Sequence, residues 1–454
     1  MNERSVHFNG IGGRGIAPAA ALALAAGWTV SGDDLADGAR VRTLRRRGAT
    51  VTVGANTRPA EADLIVATSA MPGASGPRVI DRLAFVDALF TDLERKQIAV
   101  AGSLGKSTAA SVIHRTLAPV DASAYIGAQV PALVCGAHLG TGDWAVIEAC
   151  EYRDAYRGLH PEIAVVLNIV QNHEDHFGAG TDGFARSLTT WLTAPDPPTL
   201  LVTPVEAARL LAPHLAEAGS ALRVESVGDD ADWSTHVLTA DERGSVFALE
   251  HHGTDAGTWK VPAAGRHLVT AAACAAIIAL ELGIKQDAAA GALAGFRLPA
   301  RRMSVRHHDP ALTIVDDNAR QPQQARALID ALRQAYPGHH LVVCVCPWGT
   351  KNKRDLPAWA LALAEADTVW TLPVGDAARP GGEDPDADER LVAELRLDAV
   401  PAYTLSPGDD PAQLLPVGRD PGRPLLIATA GYDANAAAFA DVHTRAISVF
   451  AGDR

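Results

Sequence analysis

An apolar run, Gln97-Ile-Ala-Val-Ala101, passes without a spacer into Gly102-Ser-Leu-Gly-Lys-Ser-Thr108. A continuous apolar stretch of this length reads as a strand buried on both faces, which points to a parallel sheet covered by helices. The glycines Gly102 and Gly105 let the chain turn tightly, and Lys106-Ser107-Thr108 opens the next helix. Loop amides and the Lys106 ammonium suit β- and γ-phosphates, and the hydroxyl of Ser107 or Thr108 suits magnesium. Val100 stands where the usual G-x-x-x-x-G-K-[ST] has its first glycine. The segment demands an α/β layer fold with ligand chemistry at one sheet edge.

A related unit opens the chain. Val6-His-Phe-Asn9 reads as a strand, Gly10-Ile-Gly-Gly-Arg-Gly15 as a glycine turn, and the alanine-rich stretch after it as a helix. Trp28-Thr-Val-Ser31 is the second strand, Asp33 and Asp34 close the unit, and Leu64-Ile-Val-Ala-Thr68 continues the sheet. Gly10, Gly12 and Gly15 keep the G-x-G-x-x-G spacing, with Gly13 inside it. Such a loop places backbone amides and a helix N-terminus toward a diphosphate. A third unit begins near Met303, with strands at Leu312-Thr-Ile-Val315, Leu341-Val-Val-Cys-Val-Cys346 and Pro424-Leu-Leu-Ile-Ala-Thr429. Three α/β domains in series follow, at 1–96, 97–302 and 303–454.

Composition narrows the partners. Lys and Arg number 40 against 53 Asp and Glu, a net charge of −13, so a dedicated nucleic-acid or anionic-membrane surface is not expected. The apolar run from Ala17 to Ala26 is too short to span a bilayer, and it follows the glycine loop without a basic lead. The five cysteines form no paired framework, which suits a reducing cytoplasm. Cys344 and Cys346 lie in an apolar run and read as buried thiols. The number of chains in the assembly is not legible.

Carboxylates and histidines recur where strands end. Glu148 and Glu151 follow Trp144-Ala-Val-Ile147, and Asn172-His-Glu-Asp-His176 follows the strand that starts at Ile163. In parallel sheets, ligands bind at the carboxyl ends of strands. Magnesium takes hard oxygen ligands and tolerates an imidazole. Arg301-Arg302 offers positive charge for a transferring phosphoryl group.

The ordered set His7-Phe-Asn-Gly-Ile-Gly-Gly13, Gly105-Lys-Ser-Thr108, Glu148-Ala-Cys-Glu-Tyr-Arg153, Asn168 to Asp175, Gly265-Arg-His267, Arg301-Arg302 and Asp316-Asp317 resembles the Mur ligases, most nearly their alanine-adding members. The resemblance is collinear from about residue 6 to about residue 435. It implies three domains: a Rossmann-like N-terminal domain for a UDP-sugar-linked acid, a central P-loop ATPase and a Rossmann-like C-terminal domain for the amine. It also implies ATP and Mg2+ as cofactors, and an acyl phosphate that an amine attacks. Lys106 would hold the β/γ-phosphates, and Ser107 or Thr108 the first magnesium. Glu148 and His173 would hold the second. Arg302 would reach the γ-phosphate, His267 would lie at the nucleotide, and Asp317 or Asp316 would bond the ribose. Gly10, Gly12, Gly13, Gly15, Asp34 and Ser69 match the acid-substrate pattern. No lysine occurs between Lys106 and Lys260, so the carbamylated lysine of several family members has no counterpart. Alanine-adding members lack it too.

The chain departs from the family at the amine side. Where the family has Asp-Asp-Tyr-Ala-His-His-Pro, this chain has Asp316-Asp-Asn-Ala-Arg-Gln-Pro322. Where it has a His-Arg loop, this chain has Cys346-Pro-Trp-Gly-Thr-Lys-Asn352, leading to Arg354. Arg320, Trp348, Lys351 and Arg354 become the amine-side candidates. Either they reshape the pocket or Arg320, Lys351 and Arg354 do the old job. Near the nucleotide, Leu268 and Ala271 replace two asparagines. The leading expectation is therefore an ATP-dependent amide ligase acting on a non-standard amine in specialised metabolism. Two alternatives stand beside it: the L-alanine-adding step on UDP-N-acetylmuramate in peptidoglycan synthesis, and a non-catalytic nucleotide-binding relative.

Overall fold

The strand Lys96–Ala101 is buried from Gln97 onward, and its register shows why the sequence puts chemistry beside it. The computed structural model describes residues 4–54, 62–67, 78–346, 355–373, 387–432 and 435–451. Lys96–Ala101 pairs in parallel with Ile163–Val166 on one side and Trp144–Glu148 on the other, Val100 lying opposite both Val165 and Glu148. All three strands therefore end at the same edge. Val100 is a sheet-interior residue with 0% exposure, which accounts for an apolar residue where a longer loop has glycine.

These strands sit in a ten-stranded sheet. Its order is Thr254–Val261, Gly244–His251, Trp233–Asp241, Arg223–Val227, Leu200–Pro204, Ile163–Val166, Lys96–Ala101, Trp144–Glu148, Ser123–Tyr125, Ala137–His138. The polar stretch at 226–260, with short alternating runs such as Val246-Phe-Ala-Leu249, supplies three whole strands at 233–261. Alternation is the signature of a sheet with one wet face, and Gly244–His251 buries Ser245, Phe247 and Leu249.

The first sheet has five parallel strands in the order Thr50–Val53, Thr29–Asp34, Ser5–Asn9, Leu64–Ala67, Val79–Asp81. This is a doubly wound arrangement whose direction of growth reverses at Ser5–Asn9, the strand that feeds the glycine loop. A third sheet runs Ser304–His308, Leu312–Asp317, Leu425–Ala430, His340–Val345, Thr368–Thr371, Ala402–Thr404, parallel except for its first strand. The fold is mixed α/β, built on three sheets.

Two compact units are evident. One comprises Met1–Thr239, Val246–Pro262 and His267–Pro299, the other Ala240–Ser245, Ala263–Arg266 and Ala300–Arg454. The first sheet and most of the second share the first unit and are braced by Asp87. Its carboxylate accepts from Gln97 Nε2 at 3.0 Å and from the His160 amide at 2.9 Å. Core strands carry Val, Ile and Leu at full burial, each contributing about 1.5–3 kcal/mol relative to exposure. Cys344 and Cys346 are buried thiols, and burial pushes Cys344 well up. Among the described residues no helix is long and apolar enough to cross a membrane.

Candidate active site

The phosphate loop is held open by one asparagine. Asn168, just past the strand Ile163–Val166, accepts from the Leu104 amide at 2.9 Å and donates to Leu104 O at 2.9 Å. Ser103 adds a second tie, donating to Val170 O and accepting from the Val170 amide. Gly102 adopts φ +130°, and a Cβ there would lie 3.1–3.2 Å from the backbone of Leu167 and Asn168. Only glycine fits both the angle and the space. Gly105, at φ 81°, caps the helix Lys106–Thr116, and so points its first amides out of the sheet edge.

Lys106 and two carboxylates meet there. Lys106 Nζ donates to Gly102 O at 2.7 Å and Ser103 O at 3.2 Å, and pairs with Glu151 Oε2 at 2.6 Å. Ser107 Oγ donates to Glu148 Oε1 at 2.9 Å, while the Gly127 amide donates to Glu148 Oε2 at 2.7 Å. Thr108 is buried in the same helix. Burial opposes charge on Glu151, but Lys106 beside it and the nearby His173 imidazole hold its carboxyl well below the usual range. Burial likewise opposes charge on Lys106, and Glu151 outweighs it, so the ammonium is retained above its ordinary range.

His173 belongs to the same cluster through Glu151. Its Nε2 lies 3.6 Å from Glu151 Oε1, Asn172 Nδ2 donates to that oxygen at 3.2 Å, and the Tyr152 ring packs edge-on at 5.2 Å. His173 has φ 51°, and Arg153 and Asp154 are left-handed at φ 49° and 58°. Strained non-glycine residues of this kind concentrate where geometry serves a site. The strand-end position flags both Glu148 and Glu151 from sequence, yet nothing in their spacing says that Glu151 turns to the lysine. The twofold clamp by Asn168 is equally silent.

The glycine loop is built from carboxylates as well as glycines. Gly10 N donates to Asp33 Oδ1 at 3.0 Å, Gly12 N to Asp34 Oδ2 at 2.8 Å, and Gly13 N to Gly10 O at 2.8 Å. Asp34 thus fixes the turn itself. Gly15 ends the loop at the start of the helix Ile16–Ala25.

His267 is exposed near the start of the helix Arg266–Glu281, whereas Leu268 and Ala271 are core positions of that helix. In the second unit, Arg302 Nη1 donates to Arg301 O at 3.1 Å. Asp317 is half-buried and accepts from the Met303 amide at 2.8 Å, and desolvation of its carboxyl raises it. Asp316 is occupied internally, accepting from Arg306 Nη2 at 2.8 Å, Arg301 Nε at 3.2 Å and Thr429 Oγ1 at 3.2 Å. Arg320 is exposed with its guanidinium 5.0 Å over the Tyr432 ring. Ser69, Trp348, Lys351 and Arg354 lie outside the described residues.

Among the described residues no three His, Cys, Asp or Glu side chains are grouped to enclose a metal ion. A carboxylate beside a loop hydroxyl is the donor set for a magnesium that also takes nucleotide phosphates, since that ion is usually held by one or two carboxylates plus phosphate oxygens. Glu148 and Ser107 fit it.

The comparisons with known proteins agree with this geometry. The profile of the Mur ligase family, catalytic domain, matches residues 5–82. The UDP-N-acetylmuramate–L-alanine ligase of Renibacterium salmoninarum is 31% identical over 88% of this chain and 87% of its own. That of Paenarthrobacter aurescens is 34% identical over 84% of each chain. The crystal structure of the UDP-N-acetylmuramate–alanine ligase MurC from Thermotoga maritima superposes with a TM-score of 0.77 at 20% identity, covering 97% of this chain and 98% of that one. With identity above 30% across most of both lengths, and a phosphate loop meeting strand-end carboxylates, the chain belongs to the Mur ligase family of ATP-dependent amide-forming ligases.

Proposed function

We propose that this protein joins the carboxylate of UDP-N-acetylmuramate to an amino acid, with L-alanine as the first candidate amine, using ATP and Mg2+. The observation that carries the reading is the meeting of Lys106, Ser107 and Glu148 at one sheet edge, in a chain similar to L-alanine ligases over most of its length. This ranks the alanine-adding alternative above the specialised-metabolism expectation, for which the relatives offer no support.

ATP supplies the phosphoryl group that turns a carboxylate oxygen into a leaving group. The chain's own residues bind, orient and neutralise. Lys106 and the amides of the loop would hold the β- and γ-phosphates, Ser107 or Thr108 and Glu148 would hold magnesium, and His173 would join Glu148 at a second ion. Arg302, His267, Asp316 and Asp317 are carried as nucleotide-side candidates on the resemblance alone. So is the division at 97 and 303.

A second reading, a different amine, rests on Arg320. It stacks on Tyr432, adding positive charge and an aromatic face at the end of the third sheet. Phosphate release with UDP-N-acetylmuramate, ATP, Mg2+ and a panel of amines tests both. Turnover of L-alanine with kcat/KM of about 10⁴ M⁻¹s⁻¹ or more supports the first reading. Turnover with another amine alone supports the second, and none with any amine removes both.

A further inference from the structure

The acid-substrate loop has a cation beside it that neither the motifs nor the phosphate loop absorbs. Arg82 opens the helix Arg82–Asp92, and its guanidinium lies against Gly15. A Cβ on Gly15 would stand 2.4 Å from Arg82 Nη1 and 2.8 Å from Cζ, so the guanidinium fills the space a side chain would take. Tyr125, buried at the end of the strand Ser123–Tyr125, accepts from Arg82 Nη1 at 2.8 Å and donates to Gly15 O at 2.7 Å. Among the described residues this hydroxyl is the one hydrogen-bond partner of Arg82. Asp81, its sequence neighbour, is turned onto the Leu83 amide at 2.8 Å as the helix cap.

A guanidinium carries five N–H groups in a fork matched to phosphate and carboxylate, and it does not deprotonate in proteins. Partly buried, with the Asp81 carboxylate as a nearby opposite charge but only a neutral hydroxyl as hydrogen-bond partner, Arg82 keeps N–H groups of its fork for an anion. The loop narrows where that anion sits. The amides of Gly10 and Gly12 are given to Asp33 and Asp34, and that of Gly13 to Gly10 O. An anion approaching the loop therefore meets its Gly15 end, where the helix Ile16–Ala25 begins with its positive dipole end. Arg82 is already there. On its other side, Tyr125 lies opposite Ile147, the residue before Glu148. Arg82 thus stands between the glycine loop and the edge that carries the phosphate site.

We propose that Arg82 is a substrate-contacting residue that binds the diphosphate of the acid substrate, with Tyr125 holding the guanidinium in place. This rests on the reading of the acid as UDP-linked. Calorimetric titration with UDP and with UDP-N-acetylmuramate, for wild type, Arg82→Met, Arg82→Lys and Tyr125→Phe, tests it. Arg82→Met should weaken UDP and the acid together by about tenfold or more, and Arg82→Lys should recover part of the loss, because a lysine is a point charge without the fork. Tyr125→Phe should weaken both by about threefold, having lost one hydrogen bond to the guanidinium. In steady state the KM for the acid should rise while that for ATP stays within about twofold. Unchanged UDP affinity in folded Arg82→Met overturns the proposal and leaves the acid reading standing. Loss of the acid with UDP binding unchanged overturns it too, since the guanidinium would then meet the carboxylate. If wild type binds neither UDP nor UDP-N-acetylmuramate, the acid reading itself falls and takes the proposal with it.

Discussion

Lys106 Nζ sits 2.6 Å from Glu151 Oε2, with the lysine 12% and the glutamate 6% exposed. The ammonium's remaining protons go to Gly102 O and Ser103 O, so every proton it carries is placed. A phosphate that claims the lysine must take it from Glu151. The carboxylate then acts as a competitor for the phosphate site and as the lysine's partner when no nucleotide is bound. Glu151→Gln keeps the shape and removes the competing charge. It should tighten ADP binding by about tenfold, or about 1.4 kcal/mol. It should also destabilise the protein without nucleotide by about 3 kcal/mol, because Lys106 becomes a buried charge without the carboxylate it is paired with. Saturating ADP should recover most of the lost melting temperature. Calorimetry and thermal melts read both effects, and weaker ADP binding in the variant would make Glu151 a nucleotide-supporting group instead.

The same pair sets a pH signature. The Glu151 carboxyl is depressed, so its contribution is fully present above the ordinary glutamate range, ~4.3, and is lost as pH falls through its lower folded value. The Lys106 ammonium is raised, so its contribution is present below ~10.4 and is lost as pH rises through its higher folded value. The melting-temperature gap between wild type and Glu151→Gln should be flat from about pH 5 to about pH 10 and close at lower pH. A gap that already narrows near neutral pH would show that the two charges are not paired in solution.

Glu148 is held at both oxygens by Ser107 and the Gly127 amide. Glutamine offers one acceptor and sets an N–H group against one of those donors, besides losing the charge for magnesium. Glu148→Gln should slow the chemical step by about 10²–10³-fold with nucleotide affinity within about threefold. Single-turnover rates across a magnesium titration would check this. An unchanged rate and magnesium midpoint would reduce Glu148 to a brace for the loop.

Much of this arrangement is legible in the chain. The apolar runs ending at Ala101 and Asn9 demand parallel strands, and the glycines after each announce a loop at the carboxyl edge. Glu148 follows because its strand ends beside Val100. What the sequence does not carry is direction. Glu151 enters the site because the segment after Trp144–Glu148 kinks through left-handed Arg153 and Asp154, a conformation that aspartate tolerates but arginine rarely adopts. Asp34 reads as a ligand-binding acid from its position, yet its carboxylate takes the Gly12 amide. Arg82 lies at the start of a helix in sequence and reaches the glycine loop only through the packing of that helix. Tertiary contacts decided these three.

Asn168 offers the most direct check on how the phosphate loop is shaped. Its amide meets both the N–H and the C=O of Leu104 at 2.9 Å, so it replaces the strand partner that the loop has lost on leaving the sheet. Asn168→Ala would leave both Leu104 groups without it, at about 0.5–1.5 kcal/mol for each neutral hydrogen bond. The loop then samples conformations that cannot bind phosphate, and the apparent ATP affinity falls with the competent fraction. The KM for ATP should rise about tenfold with kcat lowered less, since Lys106, Ser107 and Glu148 remain once nucleotide is bound. Asn168→Asp should do worse than alanine. A carboxylate accepts from the Leu104 amide but repels the Leu104 carbonyl, and it brings negative charge toward the phosphates. Steady-state kinetics on the two variants give the ordering. An aspartate variant as active as wild type would mean that the loop holds its shape without the clamp.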